Sequence, residues 1–177
     1  IIVNEMQSKA DFHLDIHGGD LNEALTPHLY YAGKAELKII NKIKEVAAVL
    51  DVKYMVKSNS TTGVHSYGSI SGIPSMLLER GGMGLCLEED VKAYKKDLYS
   101  ALNKMEILIG EEELNEEMPI DITEANYLEA LNEGCWISFV EAGEVISKGQ
   151  LLGEVTDFFG NVIDKYYAEF DGVVMYK

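Results

Sequence analysis

The sequence predicts an α/β layered sheet flanked by helices, followed by a small all-β unit. Two short apolar strands each end in an ionisable residue and a glycine pair: Asp11 to Asp20 (Asp-Phe-His-Leu-Asp-Ile-His-Gly-Gly-Asp) and Met76 to Gly82 (Met-Leu-Leu-Glu-Arg-Gly-Gly). Between and after them lie amphipathic helical patterns, and strands alternating with such helices indicate an α/β sheet. From Ile120 onward the helical period disappears and glycine punctuates short strands at 134, 143, 149, 153, 160 and 172, which is an all-β pattern.

Taken in order, residues 1–10 read as the end of a helix, with Ile2 or Val3 and Met6 on one side. The strand that follows alternates, so His13, Asp15 and His17 share one face while Phe12, Leu14 and Ile16 share the other. Asp20 to Pro27 is a polar loop and Leu29 to Ala32 a short strand. Lys34 to Leu50 carries apolar residues at 37, 40, 43, 46, 47 and 50, one face of a helix. Tyr54 to Val56 is a third strand, Ser58 to Thr62 a polar turn, and Ser75 to Glu79 a strand. Glu88 to Leu108 is a second amphipathic helix with Val91, Tyr94, Leu98, Leu102 and Met105 in period. The division is 1–110 for the α/β part, 111–118 for an acidic solvated connection, and 119–177 for the β unit.

A length of 177 residues suffices for one core with a small appended domain, and 47% hydrophobic content supports folding. The formal charge of −15 excludes nucleic acid and anionic membrane as partners, since both require clustered Lys and Arg. Five of the acids lie at Glu111, Glu112, Glu113, Glu116 and Glu117. Cys86 and Cys135 sit in apolar or aromatic contexts and read as buried structural thiols in a reducing, cytoplasmic compartment. No apolar run reaches the roughly 18 to 20 residues of a membrane span. The chain starts at Ile1-Ile2-Val3 without a methionine, which reads as a piece of a longer protein.

The candidate chemistry lies on the two glycine-paired strands. His17 ends its strand, where open α/β sheets keep their sites, and the glycines after it leave room for a metal. His13 lies about 6 to 7 Å along the same strand face, too far to chelate the same zinc, and is read as structural. Asp15 can accept an N–H from the His17 imidazole, or be a surface carboxylate. Glu79, behind three apolar residues, is a general base with a raised pKa, or else the partner of Arg80. His28 and His65 are isolated and read as turn or edge residues, with His65 in a loop within reach of a substrate. Gly82-Met83-Gly84 lacks the third glycine of a dinucleotide loop, and Gly68-Ser69-Ile70-Ser71-Gly72 has isoleucine where a nucleophile elbow has serine.

Three stretches together resemble the succinylglutamate desuccinylase/aspartoacylase family, deacylases of the zinc-carboxypeptidase clan: Asp15 to Leu21, Gly72 to Gly82, and Ala168 to Val174. The resemblance implies the carboxyl-terminal portion of a zinc-carboxypeptidase-like mixed sheet flanked by helices. It also implies a zinc cofactor, a small-molecule N-acyl substrate, His17 as a zinc ligand, and Glu79 as the carboxylate that moves a proton from water to the leaving amine. The stretch Phe139 to Gly153 with Asp171 to Val174 resembles the barrel-sandwich hybrid of biotinyl and lipoyl carriers, but Phe158 stands at the carrier lysine's place and Lys165 lies in the next strand. The family's His-x-x-Glu is missing, because the residues three after His13, His17, His28 and His65 are Ile16, Asp20, Tyr31 and Gly68. Its Asn-Arg pair is missing too, and Arg80 is the sole arginine. These would lie upstream of Ile1, so the chain alone is expected to bind zinc weakly and not to hydrolyse amides. Arg80 and Lys34 are the cations nominated to meet an anionic substrate. A non-catalytic binding or scaffold protein and a peptide carboxypeptidase are the alternatives, and a homo-oligomer is left open.

Overall fold

The computed structural model describes residues 2–110 and 117–177, with nothing said of the Ile2 side chain. Most of the expected acidic connection, including Glu111, Glu112, Glu113 and Glu116, lies outside the described residues, as does Ile1. Five strands form the main sheet: β1 (His13–His17), β2 (His28–Ala32), β3 (Tyr54–Ser58), β4 (Ser75–Glu79) and β5 (Ile120–Ile122), in the order β1-β4-β2-β3-β5. The sheet is mixed. β1 runs parallel to β4, β4 antiparallel to β2, and β2, β3 and β5 run parallel.

Side chains alternate across these strands. Leu29, Tyr31, Met55, Met76 and Leu78 therefore share one face, where they bury against Ile39, Ile43, Val46 and Ala47 of helix α1 (Leu37–Ala47) and Ala101 of helix α3 (Glu88–Lys104). The opposite face carries His17, Glu79, His28 and Tyr30, and short helix α2 (Val64–Ile70) lies against it. The sequence pattern shows no helix there, because α2 has no apolar stripe and contains Gly68. That glycine is required by contact: a Cβ at Gly68 would collide with the Gln7 amide and the Ser75 hydroxyl.

Local differences from expectation each have a packing cause. At the start of the chain Met6 is exposed and Gln7 is buried, its Nε2 donating to the Val64 carbonyl at 2.9 Å. Ile120–Ile122 does not begin the β unit. It completes the main sheet beside β3, where Asp121 accepts hydrogen bonds from Tyr31 Oη and Lys44 Nζ at 2.8 Å each. Both cysteines are exposed and free, Cys86 in the loop before α3 and Cys135 at the start of an outer strand. The remaining strands are β6 (Cys135–Ser138), β7 (Val145–Ile146), β8 (Leu151–Thr156), β9 (Val162–Tyr167) and β10 (Gly172–Val173). They form two small antiparallel sheets, β6-β8-β9 and β7-β10, and their pairings do not close a single barrel.

Residues after β10 return to the α/β part. Ala24 and Lys177 exchange backbone hydrogen bonds at 3.0 and 2.9 Å, Thr26 N donates to the Met175 carbonyl at 2.9 Å, and Leu25 pairs with Tyr176. No helix among the described residues is long and apolar enough to cross a membrane.

Arg80 is committed to the fold. Its Nη2 reaches Asp97 Oδ2 at 2.6 Å and the Asp51 carbonyl at 2.9 Å, with Asp97 fully buried and Arg80 8% exposed. Asp97 Oδ1 also accepts from Asp51 N at 2.7 Å. Removing one partner strands the other charge away from water, so Asp97→Ala is expected to cost about 3–5 kcal/mol in urea unfolding. Lys96→Ala, which breaks the largely exposed Lys96–Asp51 pair, is expected to cost under about 1 kcal/mol.

Candidate active site

The site grows from the β1–β4 pairing. Parallel register sets His17 beside Glu79 and Asp15 beside Leu77, so His17, Asp15 and Glu79 emerge on one face. His17 Nδ1 lies 3.6 Å from Glu79 Oε1, and its Nε2 lies 3.3 Å from Asp15 Oδ1. The imidazole is thus held between two carboxylates. It is about half exposed, while Glu79 keeps only 17% of its side-chain surface.

Burial pushes the Glu79 carboxyl above its ordinary value, His17 pulls it back, and the nearby Glu23 and Asp15 carboxylates add to the rise. None of these neighbouring charges is a lysine or an arginine. Tyr94 Oη, from α3, donates to the His17 carbonyl and to the Leu78 carbonyl, which ties the two strand ends together from the other side of the sheet.

The glycine pairs serve backbone packing. A Cβ on Gly19 would lie 2.7 Å from the Glu23 carbonyl oxygen and 2.9 Å from Gly82 Cα, and one on Gly82 would lie 2.7 Å from that same oxygen. The loops after β1 and β4 therefore press directly on each other, and Met83 N donates to the Glu23 carbonyl at 2.8 Å. What approaches these glycines is backbone.

His65 starts α2 and faces the β1 histidines. Burial lowers its pKa; Asp15 opposes that, and His17 and His13 reinforce it. Its Nε2 is 3.1 Å from the Ser66 hydroxyl. His13 has Nδ1 3.4 Å from Gln7 Nε2. Arg80, nominated as a substrate contact, does not reach the site, because its guanidinium is spent on Asp97 and Asp51. Among the described residues no three His, Cys, Asp or Glu side chains come together to hold a metal. This chain contributes one exposed imidazole, and by itself it does not fit a zinc ion.

Several site groups were not legible in the sequence. His28, expected at a turn, opens central strand β2 and is 1% exposed, directly opposite Glu79. Its Nδ1 donates to the Thr26 carbonyl at 2.7 Å, and burial lowers its pKa. Tyr30, two residues on, is raised by burial and shares a hydrogen bond with Tyr127. Tyr127 and Tyr176 approach ring to ring at 6.4 Å, and Tyr176 is raised by burial and by Tyr127, Glu23 and Glu79. The apolar run Leu29 to Ala32 directly after His28 was the one sequence signal. The rest depends on pairings between distant segments.

No protein-family model matches the chain, and no curated protein does. Solved structures share its fold. The product-bound ectoine utilization protein EutE (DoeB) of Ruegeria pomeroyi superposes at a TM-score of 0.85 with 18% identity, over 99% of this chain and 56% of that one. A succinylglutamate desuccinylase of a Silicibacter species gives 0.82 with 19% identity, over 99% and 55%. A succinylglutamate desuccinylase/aspartoacylase of Rhodobacter sphaeroides gives 0.84 with 20% identity, over 99% and 55%. The chain carries the fold of the succinylglutamate desuccinylase/aspartoacylase proteins and spans little more than half the length of these structures.

The raised Glu79 carboxyl has a stability consequence. The folded state holds the proton to higher pH than the unfolded chain does, so stability falls as pH rises from the ordinary carboxyl range through the raised value. Glu79→Gln removes that loss. Its stability relative to the parent is expected to grow as pH rises above the ordinary carboxyl range in urea unfolding, and a pH-independent difference would contradict the burial argument.

Proposed function

We propose that this chain is one wall of a metal-dependent deacylase that hydrolyses a linear amide in an N-acyl amino acid or related small molecule. One observation carries the reading. His17 and Glu79 stand side by side at the ends of parallel strands, in a fold shared with deacylase structures. A carboxyl with a raised pKa, next to an imidazole at a sheet edge, suits proton transfer near neutrality.

In this reading Glu79 accepts a proton from the attacking water and returns it to the nitrogen of the departing amine. Asp15 accepts a hydrogen bond from His17 Nε2–H and fixes the tautomer, leaving the Nδ1 lone pair for a metal. His17 would be the single zinc ligand from this chain, with the others supplied by residues outside it. Zinc, when bound, would acidify water and polarise the amide carbonyl. The β unit shapes access from one side through Tyr176, rather than carrying a prosthetic group on Phe158 or Lys165. The compartment in this reading is the cytoplasm, from the two unpaired cysteines, and the net charge of −15 speaks against nucleic acid and membrane as partners.

A non-catalytic binding protein is the second reading, favoured by the missing metal trio among the described residues. The isolated chain is expected to bind zinc weakly and to leave N-acyl amino acids intact in calorimetry and amide-release assays. Stoichiometric tight zinc would count against the shared site. In a longer protein bearing this chain, Glu79→Gln is expected to lower amide hydrolysis by about 10²–10⁴-fold, and chelator to abolish it. Chelator-insensitive hydrolysis would retire the zinc, and no hydrolysis in any form would leave the binding protein.

A further inference from the structure

The geometry points to a binding site for a protonated amine on this wall, the amine half of the substrate carrying an ammonium group. This rests on the deacylase reading for its place in a reaction, but not for the binding itself. Two independent features meet here. The first is a buried acceptor with nothing to accept. His28 is 1% exposed, its Nδ1–H is committed to the Thr26 carbonyl at 2.7 Å, and Nε2 therefore carries the lone pair of the neutral ring. Among the described residues no group bonds that nitrogen. Leaving such an acceptor unmet is costly, so a donor belongs there.

The second feature is the surroundings of that acceptor. Glu79 is its register partner across β4, and Glu23 acts on both His28 and Glu79. The His28 ring stands edge-on to Tyr30 at 4.9 Å, Tyr30 bonds Tyr127, and Tyr127 meets Tyr176. Carboxylates beside phenol rings form the chemistry that receives an alkylammonium, whose N–H groups donate to the acceptors while its charge sits against the ring faces. The nearby cations do not compete. Arg80 is bound to Asp97, and Lys177 Nζ is 2.8 Å from Glu141. An anionic group, by contrast, would meet the Glu23 and Glu79 carboxylates.

The wall is tested on the 177-residue chain without metal or turnover. Titrate n-butylammonium, n-butanol and N-acetylaspartate separately, following backbone amides and the histidine ring nitrogens by NMR. Butylammonium is expected to bind saturably and move the His28 Nε2 resonance, with butanol at least about tenfold weaker. N-acetylaspartate is expected not to bind. Glu23→Gln and Tyr127→Ala are each expected to weaken butylammonium by about tenfold while the amide spectrum stays folded. N-acetylaspartate binding as tightly as butylammonium, a stationary Nε2 resonance, or both variants binding within about twofold of the parent would overturn the site. Because the readout needs no hydrolysis, failure here leaves the deacylase standing, and failure of hydrolysis leaves the ammonium site standing.

Discussion

The parallel pairing of β1 with β4 is the constraint on which the site depends. Register alone sets His17 beside Glu79, and the two following loops can close on each other only because Gly19 and Gly82 lack side chains. That close packing places the Glu23 carbonyl between the loops and brings its carboxylate to the Glu79 side. A one-residue slip would turn His17 and Asp15 to the opposite face, under the helices. Tyr94 reaching both strand-end carbonyls, and Arg80 pinned under α3, guard the same register from behind.

The single arginine shows how the fold divides its charges. In a chain of net charge −15, one might expect Arg80 to face an anionic substrate. It is instead consumed by a buried pair with Asp97, which anchors α3 to the end of β4 and to the Asp51 turn. The cost of desolvating both charges is offset by the carbonyl and amide that complete their hydrogen bonds. The open face is left to carboxylates, imidazoles and phenols, which is why its chemistry favours donors of protons and of positive charge.

Much of this was legible in the chain. Amphipathic period located α1 and α3, alternation located β1, an apolar run located β4, and the repeated glycine-pair format joined His17 to Glu79. The reasons for failure are equally physical. α2 has no periodic stripe because it packs through serines and a glycine. Ile120–Ile122 read as part of the β unit because three residues cannot reveal which sheet they complete. His28 looked like a turn or edge residue, since its burial comes from strands β4 and β3 pairing on either side of β2. The cysteines looked buried from their apolar neighbours, but apolar neighbours in a loop or outer strand confer no burial. The glycines were rightly singled out for closeness, yet what approaches them is backbone.

The lacing of residues 175–177 onto residues 24–26 bears on how the molecule assembles. The segment that carries Glu23 and leads into His28 finds its pairing partner about 150 positions further along the chain, a long loop to close. Helices α1 and α3 and the β2–β3 crossover can form from near neighbours, but this lacing cannot. During synthesis the α/β core precedes it, and the face bearing His17 and Glu79 is laced last. The order of assembly is thus the reverse of the order in which a sequence reader meets the site.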